Sequence, residues 1–123
     1  MMHAHLVFVT KYRKDVFTSD LIDDLREIFA EVCRDFEADL IELNAGNDYV
    51  HLLVNYPPKV AISNLVNCLK GVSSRMIRKK SLSVIKDKLY DGALWSPSYF
   101  AGSCGGDSID VIRQYIEQQQ TLE

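Results

Sequence analysis

Residues 19–38, SDLIDDLREIFAEVCRDFEA, set Leu21, Leu25, Ile28, Phe29, Val32 and Phe36 at helical spacing. A second stretch, residues 59–80, does the same with Val60, Leu65, Val66, Leu69, Val72, Met76 and Ile77. Each stripe must be buried against another layer. Short runs rich in β-branched and aromatic residues, of the kind that form strands, flank and separate the two stretches. A chain of 123 residues forms one domain. Its fold must therefore stack two helices on a small sheet.

The strands are predicted over residues 3–10 (HAHLVFVT), 38–46 (ADLIELNAG) and 48–56 (DYVHLLVNY), with a fourth over 93–103, bent or interrupted at Pro97. Gly46 and Asn47 turn the chain between the second and third strands, which are antiparallel if the turn is tight. Thr18 or Ser19 caps the first helix. Pro57 and Pro58 end the third strand, and Pro58 suits the first turn of the second helix. Gly71 interrupts that helix, either for close approach of a backbone or as a tolerated defect costing about 1 kcal/mol. Residues 107–120 form a last helix behind the glycine-rich segment GSCGGDS. The order β-α-β-β-α-β is the ferredoxin-like split arrangement, here an α+β fold with an additional C-terminal helix. The expected organisation is a single domain over 1–123, with a core over 1–101, a glycine hinge over 102–106 and the final helix over 107–120.

Charge and cysteine usage narrow the setting. The net charge of −3 argues against a protein wrapped in nucleic acid, but basic residues cluster in KYRK (11–14) and KGVSSRMIRKK (70–80). A local basic surface attracts phosphates while the total stays negative. Lys11, Arg13, Lys14, Lys70, Arg75 and Arg78 are the candidate contacts to a single-stranded nucleic acid. Those of the second helix also complement its dipole, which is a sufficient structural reason for them. Cys33, Cys68 and Cys104 have no zinc-site spacing and read as free thiols of a reducing cytoplasm. Neither a signal peptide nor a membrane span is expected.

Two groups could carry chemistry. On the last helix, Tyr115 and Gln119 are one turn apart. Tyr115 reads either as an ordinary packed aromatic or as a nucleophile on a mobile arm. A phenol of pKa about 10 attacks a phosphodiester at neutral pH only with help, which a divalent ion supplies. On the third strand, His51 is either a half-buried strand histidine with a hydrogen-bond partner or a metal ligand. Gln119 offers an oxygen donor and His51 a nitrogen donor. Tyr49 shares a strand face with His51. It would be a weak third ligand, since forming phenolate at pH 7 costs about 4 kcal/mol unless the ion lowers its pKa. His3 and His5 make another H-x-H on the first strand, a weak signal by itself.

Four segments in order, HLVFVTKYRKDVF, YVHLLVNYPPKVAISNLVNCLKGVSSRMIRKK, LWSPSYFAGSCGG and VIRQYIEQQ, resemble the single-tyrosine HUH transposases of bacterial insertion sequences, of the 200/605 type (TnpA-like). The resemblance covers nearly the whole chain. It implies a ferredoxin-like or RRM-like core and a homodimer whose composite active sites are completed in trans by the partner's final helix. It also implies binding of single-stranded DNA hairpins, Mg2+ or Mn2+ as the ion, and cleavage through a 5′-phosphotyrosine link. By the same resemblance Tyr115 matches the nucleophile, Gln119 the metal-binding glutamine and His51 the second histidine of the HUH pair. The first histidine is replaced by Tyr49, after the usual Asp48.

That replacement leaves three readings. The protein binds DNA and cleaves poorly; Tyr49 swings aside and Asp48 or water takes its place; or Tyr49 itself ligates manganese. Weakened cleavage is the favoured expectation, because losing a ligand costs more than losing a ligand's outer partner. The alternatives to a strand transferase are a cleavage-impaired hairpin-binding protein and an RNA-binding module without chemistry. The RNA module would need exposed aromatics on the central strands, for which only Phe8 and Tyr49 are available.

Overall fold

The computed structural model describes residues 1–11, 17–80 and 94–103. Its elements are β1 (Met2–Val9), α1 (Ser19–Asp35), β2 (Asp39–Ala45), β3 (Tyr49–Tyr56), α2 (Ile62–Lys80) and β4 (Phe100–Ser103). The four strands form one sheet in the order β2-β3-β1-β4, with every pairing antiparallel. Element order and strand order together give the expected ferredoxin-like core. The described part of the chain ends on β4, and the additional helix expected over 107–120 lies outside the described residues.

Period-two alternation sorts the side chains of the two central strands. Leu6 and Phe8 of β1, with Val50, Leu52 and Val54 of β3, are fully buried in the main core. There they meet Leu25 and Phe29 of α1 and Leu65 and Leu69 of α2. Phe8 packs edge-on to Phe29 and to Trp95, with ring centroids 6.1 and 5.7 Å apart. Phe8 is therefore a core residue and offers no stacking platform, which removes half the aromatic pair that an RNA-binding module would need. On the opposite sheet face, Val7 and Val9 are buried with Tyr49 and Phe100 packed against them.

The helix ends follow local chemistry. Thr18 is the N-cap of α1, its Oγ1 accepting from the Leu21 N–H at 3.3 Å. The helix stops at Asp35 because Glu37 turns left-handed at φ 59°. The N–H groups of Glu37 and Ala38 then return to the carbonyls of Arg34 and Cys33, a Schellman closure. Helix α2 begins three residues later than its sequence pattern predicts. Pro58 lies in a turn closed by Val60 N–H to Pro57 O at 3.0 Å, not in the helix. Gly71 has open space where a side chain would stand, so it is a tolerated defect.

One other expectation is corrected, and one on the last strand holds. Met76 is 38% exposed, and the position facing inward at four-residue spacing from Leu65 and Leu69 belongs to Ser73, before Ile77. The last strand is interrupted at Pro97, as its sequence predicts, with pairing to β1 on either side of the break. Leu94 to Ser96 run beside the end of β1, through Lys11 N–H to Leu94 O and Ser96 N–H to Val9 O. The chain then bends at Pro97 and resumes pairing only at Phe100. Lys70 Nζ spans the gap, donating to Ser96 O at 2.6 Å and Ser98 O at 3.1 Å.

Candidate functional site

His51 lies in the middle of β3, opposite Val7 of β1 and Asn44 of β2 in register. Its side chain is on the sheet face away from the main core. Position 5, two residues before Val7 on β1, points to that same face. The antiparallel register brings the two imidazoles together. His5 Nδ1 and His51 Nε2 are 2.8 Å apart, with ring centroids 5.0 Å apart and planes tilted by 31°. Both rings are half-buried. Burial pushes the His51 pKa below the ordinary histidine value; the nearby His5 pushes it further down, and Glu42 opposes both. His51 is thus biased toward the neutral imidazole, the form that donates a lone pair to a metal. Further along the same seam, His3 Nδ1 is hydrogen-bonded to Asn55 Oδ1.

Tyr49 occupies the end of this face near the β2–β3 turn. Its ring lies over Gly46, so closely that a methyl group there would clash with Tyr49 Cε1. It also packs on Val7 and Val9. Gly46 is needed for that close approach, which the turn chemistry alone did not indicate. Immediately before Tyr49, the Asp48 carbonyl accepts from the backbone N–H of Thr10 at 2.8 Å and from its hydroxyl at 3.2 Å. The backbone entering β3 is therefore pinned to the end of β1.

The basic residues are divided. Lys70 is turned into the fold, holding two carbonyls and lying over the rings of Phe8 and Tyr99. Arg75 is exposed on α2, and Arg78 Nε donates to Ser74 O within the same helix. Helix α2 packs on the sheet face opposite His51, so these side chains do not gather around the imidazole pair. Lys11 is half-buried at the end of β1. Arg13, Lys14, Tyr115 and Gln119 lie outside the described residues.

The donor set tests the fit of a divalent ion. Among the described residues, no group of three His, Cys, Asp or Glu side chains could hold one. Two imidazole nitrogens at 2.8 Å do converge, and they suit manganese or a later transition ion better than magnesium. Further donors would have to come from Gln119, water or a phosphate. Sequence reasoning set His5 aside. The available signal was its alternation with His3 on a strand destined to pair with β3.

Among the described residues, no helix is long and apolar enough to cross a membrane. Cys33 and Cys68 are free thiols.

The chain is 33% identical over 122 residues to the ISDra2 transposase TnpA of Deinococcus radiodurans, covering 99% of this chain and 86% of that one. It is 28% identical over 115 residues to the transposase for insertion sequence element IS200 of Salmonella typhimurium, covering 94% and 74%. The fold superposes on a crystal structure of a candidate transposase from D. radiodurans R1 with a TM-score of 0.87 at 32% identity, over 96% of this chain and 90% of that one. A REP-associated tyrosine transposase bound to a REP hairpin shares the fold, with a TM-score of 0.60 at 12% identity, over 94% and 62%. The family model for IS200-like transposases matches residues 1–119. With the ferredoxin-like core and the strand-borne His51 in place, the chain belongs to the IS200-like, single-tyrosine HUH transposase family.

Proposed function

We propose that this protein cuts and rejoins single-stranded DNA at hairpin-flanked ends of a mobile element. The observation that carries this reading is the half-buried, neutral-leaning His51 on a central strand, in a chain matched to the IS200-like transposases over residues 1–119. Tyr115 is the nucleophile. Its Oη attacks the scissile phosphorus, forming a phosphotyrosine bond to the 5′ phosphate. The 3′ oxygen departs and gains a proton, while the phenol proton passes to solvent. The reverse attack by a 3′ hydroxyl on the phosphotyrosine rejoins a strand and restores the phenol.

His51 and Gln119 would hold Mg2+ or Mn2+. Such an ion would supply Lewis-acid stabilisation of the charge that develops on a phosphodiester during cleavage. The glycine-rich segment over 102–106 is the hinge that lets the final helix, 107–120, present Tyr115 to the site of the partner subunit in a homodimer. Lys11, Arg13, Lys14, Arg75 and Arg78 contribute positive charge toward the DNA backbone, and Lys70 adds charge while bracing the Pro97 bend.

A second reading, a hairpin-binding protein with impaired cleavage, draws on Tyr49. It replaces the first histidine of the family pair, and its ring is occupied with Gly46, Val7 and Val9. Labelled, hairpin-flanked single-stranded DNA incubated with the protein and Mn2+ separates the two on a denaturing gel. A covalent protein–DNA band that disappears in Tyr115→Phe, while a native-gel shift persists, supports cleavage. A native shift with no covalent band from the parent supports binding alone. If Tyr49 limits cleavage, Tyr49→His increases the band.

A further inference from the structure

We propose that His5 is a metal ligand, pairing with His51 across the β1–β3 seam to supply the two-imidazole donor set that the tyrosine at position 49 leaves incomplete. The inference deepens the proposed function, because it concerns the ion that would assist cleavage. It rests on three observations. First, His5 Nδ1 and His51 Nε2 stand 2.8 Å apart. Two ligands in adjacent positions of an octahedral ion, each about 2.1 Å from it, are about 3 Å apart. The separation thus already matches such a pair, and both rings would turn by roughly 45° to aim their lone pairs at a common ion instead of at each other. Second, Tyr49 is packed against Gly46 and the Val7–Val9 pair, whereas His5 already faces the His51 nitrogen. Third, both imidazoles stand on the central strands of the sheet, where the backbone is paired on both sides. That framework holds the pair in position before an ion arrives.

The proton balance is simple. In the metal-free pair, one of the two facing nitrogens carries the hydrogen and the other accepts it. Binding an ion through both lone pairs requires that hydrogen to move. The donor ring shifts to its other neutral tautomer, with its proton on the nitrogen facing away. The tautomer shift itself releases no net proton.

The test is Mn2+ binding by the full chain without DNA, read from the loss of the free-ion electron paramagnetic resonance signal. The parent should bind Mn2+. His5→Ala and His51→Ala should each weaken binding by at least the roughly 10–100-fold that follows loss of a ligand's outer partner. Adding Tyr49→His to His5→Ala should recover binding, by returning a second imidazole to β3. His5→Thr, suited to a strand, serves as a second variant if the alanine variant does not fold. The proposal is overturned if folded His5→Ala or His5→Thr keeps the parental affinity. It is equally overturned if the parent binds Mn2+ no better than the His5→Ala/His51→Ala double variant. Cleavage is judged separately: a Tyr115-dependent covalent band that survives loss of His5 leaves the proposed function standing and rejects the His5 role.

Discussion

The indole Nε1–H of Trp95 donates to Ser73 Oγ at 2.9 Å, joining the segment before the Pro97 bend to the buried side of α2. Ser73 passes the interaction on, its hydroxyl donating to Lys70 O at 3.1 Å. The hydroxyl is fully buried, and Trp95 is 7% exposed. Removing Ser73 Oγ leaves an indole donor with no water to replace it. Ser73→Ala should therefore destabilise the fold by about 1–3 kcal/mol. Urea unfolding followed by the fluorescence of Trp95, the chain's single tryptophan, measures this directly. An unchanged midpoint would refute it.

Gly71 lies within α2 with nothing near the position of an added methyl group. Alanine there loses less backbone entropy on folding than glycine does. Gly71→Ala should stabilise the protein by about 0.5–1 kcal/mol, raising the thermal midpoint by several degrees. Differential scanning calorimetry checks both the direction and the size.

Glu37 adopts φ 59°, a conformation that a Cβ atom disfavours, in order to close α1. Glycine adopts it without that penalty. Glu37→Gly forfeits an ion pair with Lys59 at 2.9 Å, but both side chains are about two-thirds exposed and the pair contributes little. The net effect should be a gain of about 0.5–1 kcal/mol, after allowing for glycine's greater freedom in the unfolded chain. A lower urea midpoint in Glu37→Gly would contradict this account of the helix end.

Burial pushes the Cys33 thiol from 9.0 up to about 11, with the Asp39 carboxylate adding to the rise and Arg34 opposing it. The folded protein therefore holds this proton more tightly than the unfolded chain. The stability it contributes is complete below about pH 9 and is lost as pH rises toward 11, at about 1.4 kcal/mol per unit. Stability measured across that window should fall more steeply in the parent than in Cys33→Ala, even though the alanine variant starts lower because of its cavity. Iodoacetamide at pH 8 should also modify Cys68, which is half-buried, faster than Cys33.

Much of the fold is legible in the amino-acid sequence alone. The stripe from Leu21 to Val32 and the alternation through Leu6 and Phe8 each have one periodicity that buries them, so helix and strand were determined locally. Other features depended on partners distant in the chain. Helical spacing from Leu65 and Leu69 turns Ser73 inward, and a serine is satisfied at that buried position because Trp95, 22 residues on, donates its N–H to it. Lys70 looked like one of several surface cations until the Pro97 interruption exposed two carbonyls within its reach.

The amino-acid sequence by itself determined which segments are helix and strand, the order in which they follow, and the presence of His51 and Tyr49 on one strand face. Those properties arise from hydrophobic period and local backbone chemistry, acting within a few residues. Only the tertiary structure decided that His5 meets His51 and that Tyr49 settles on Gly46. The first depends on the register of two strands more than forty residues apart in the chain, and the second on how a turn folds back beneath a ring. Neither distance is set by any local preference of the residues concerned.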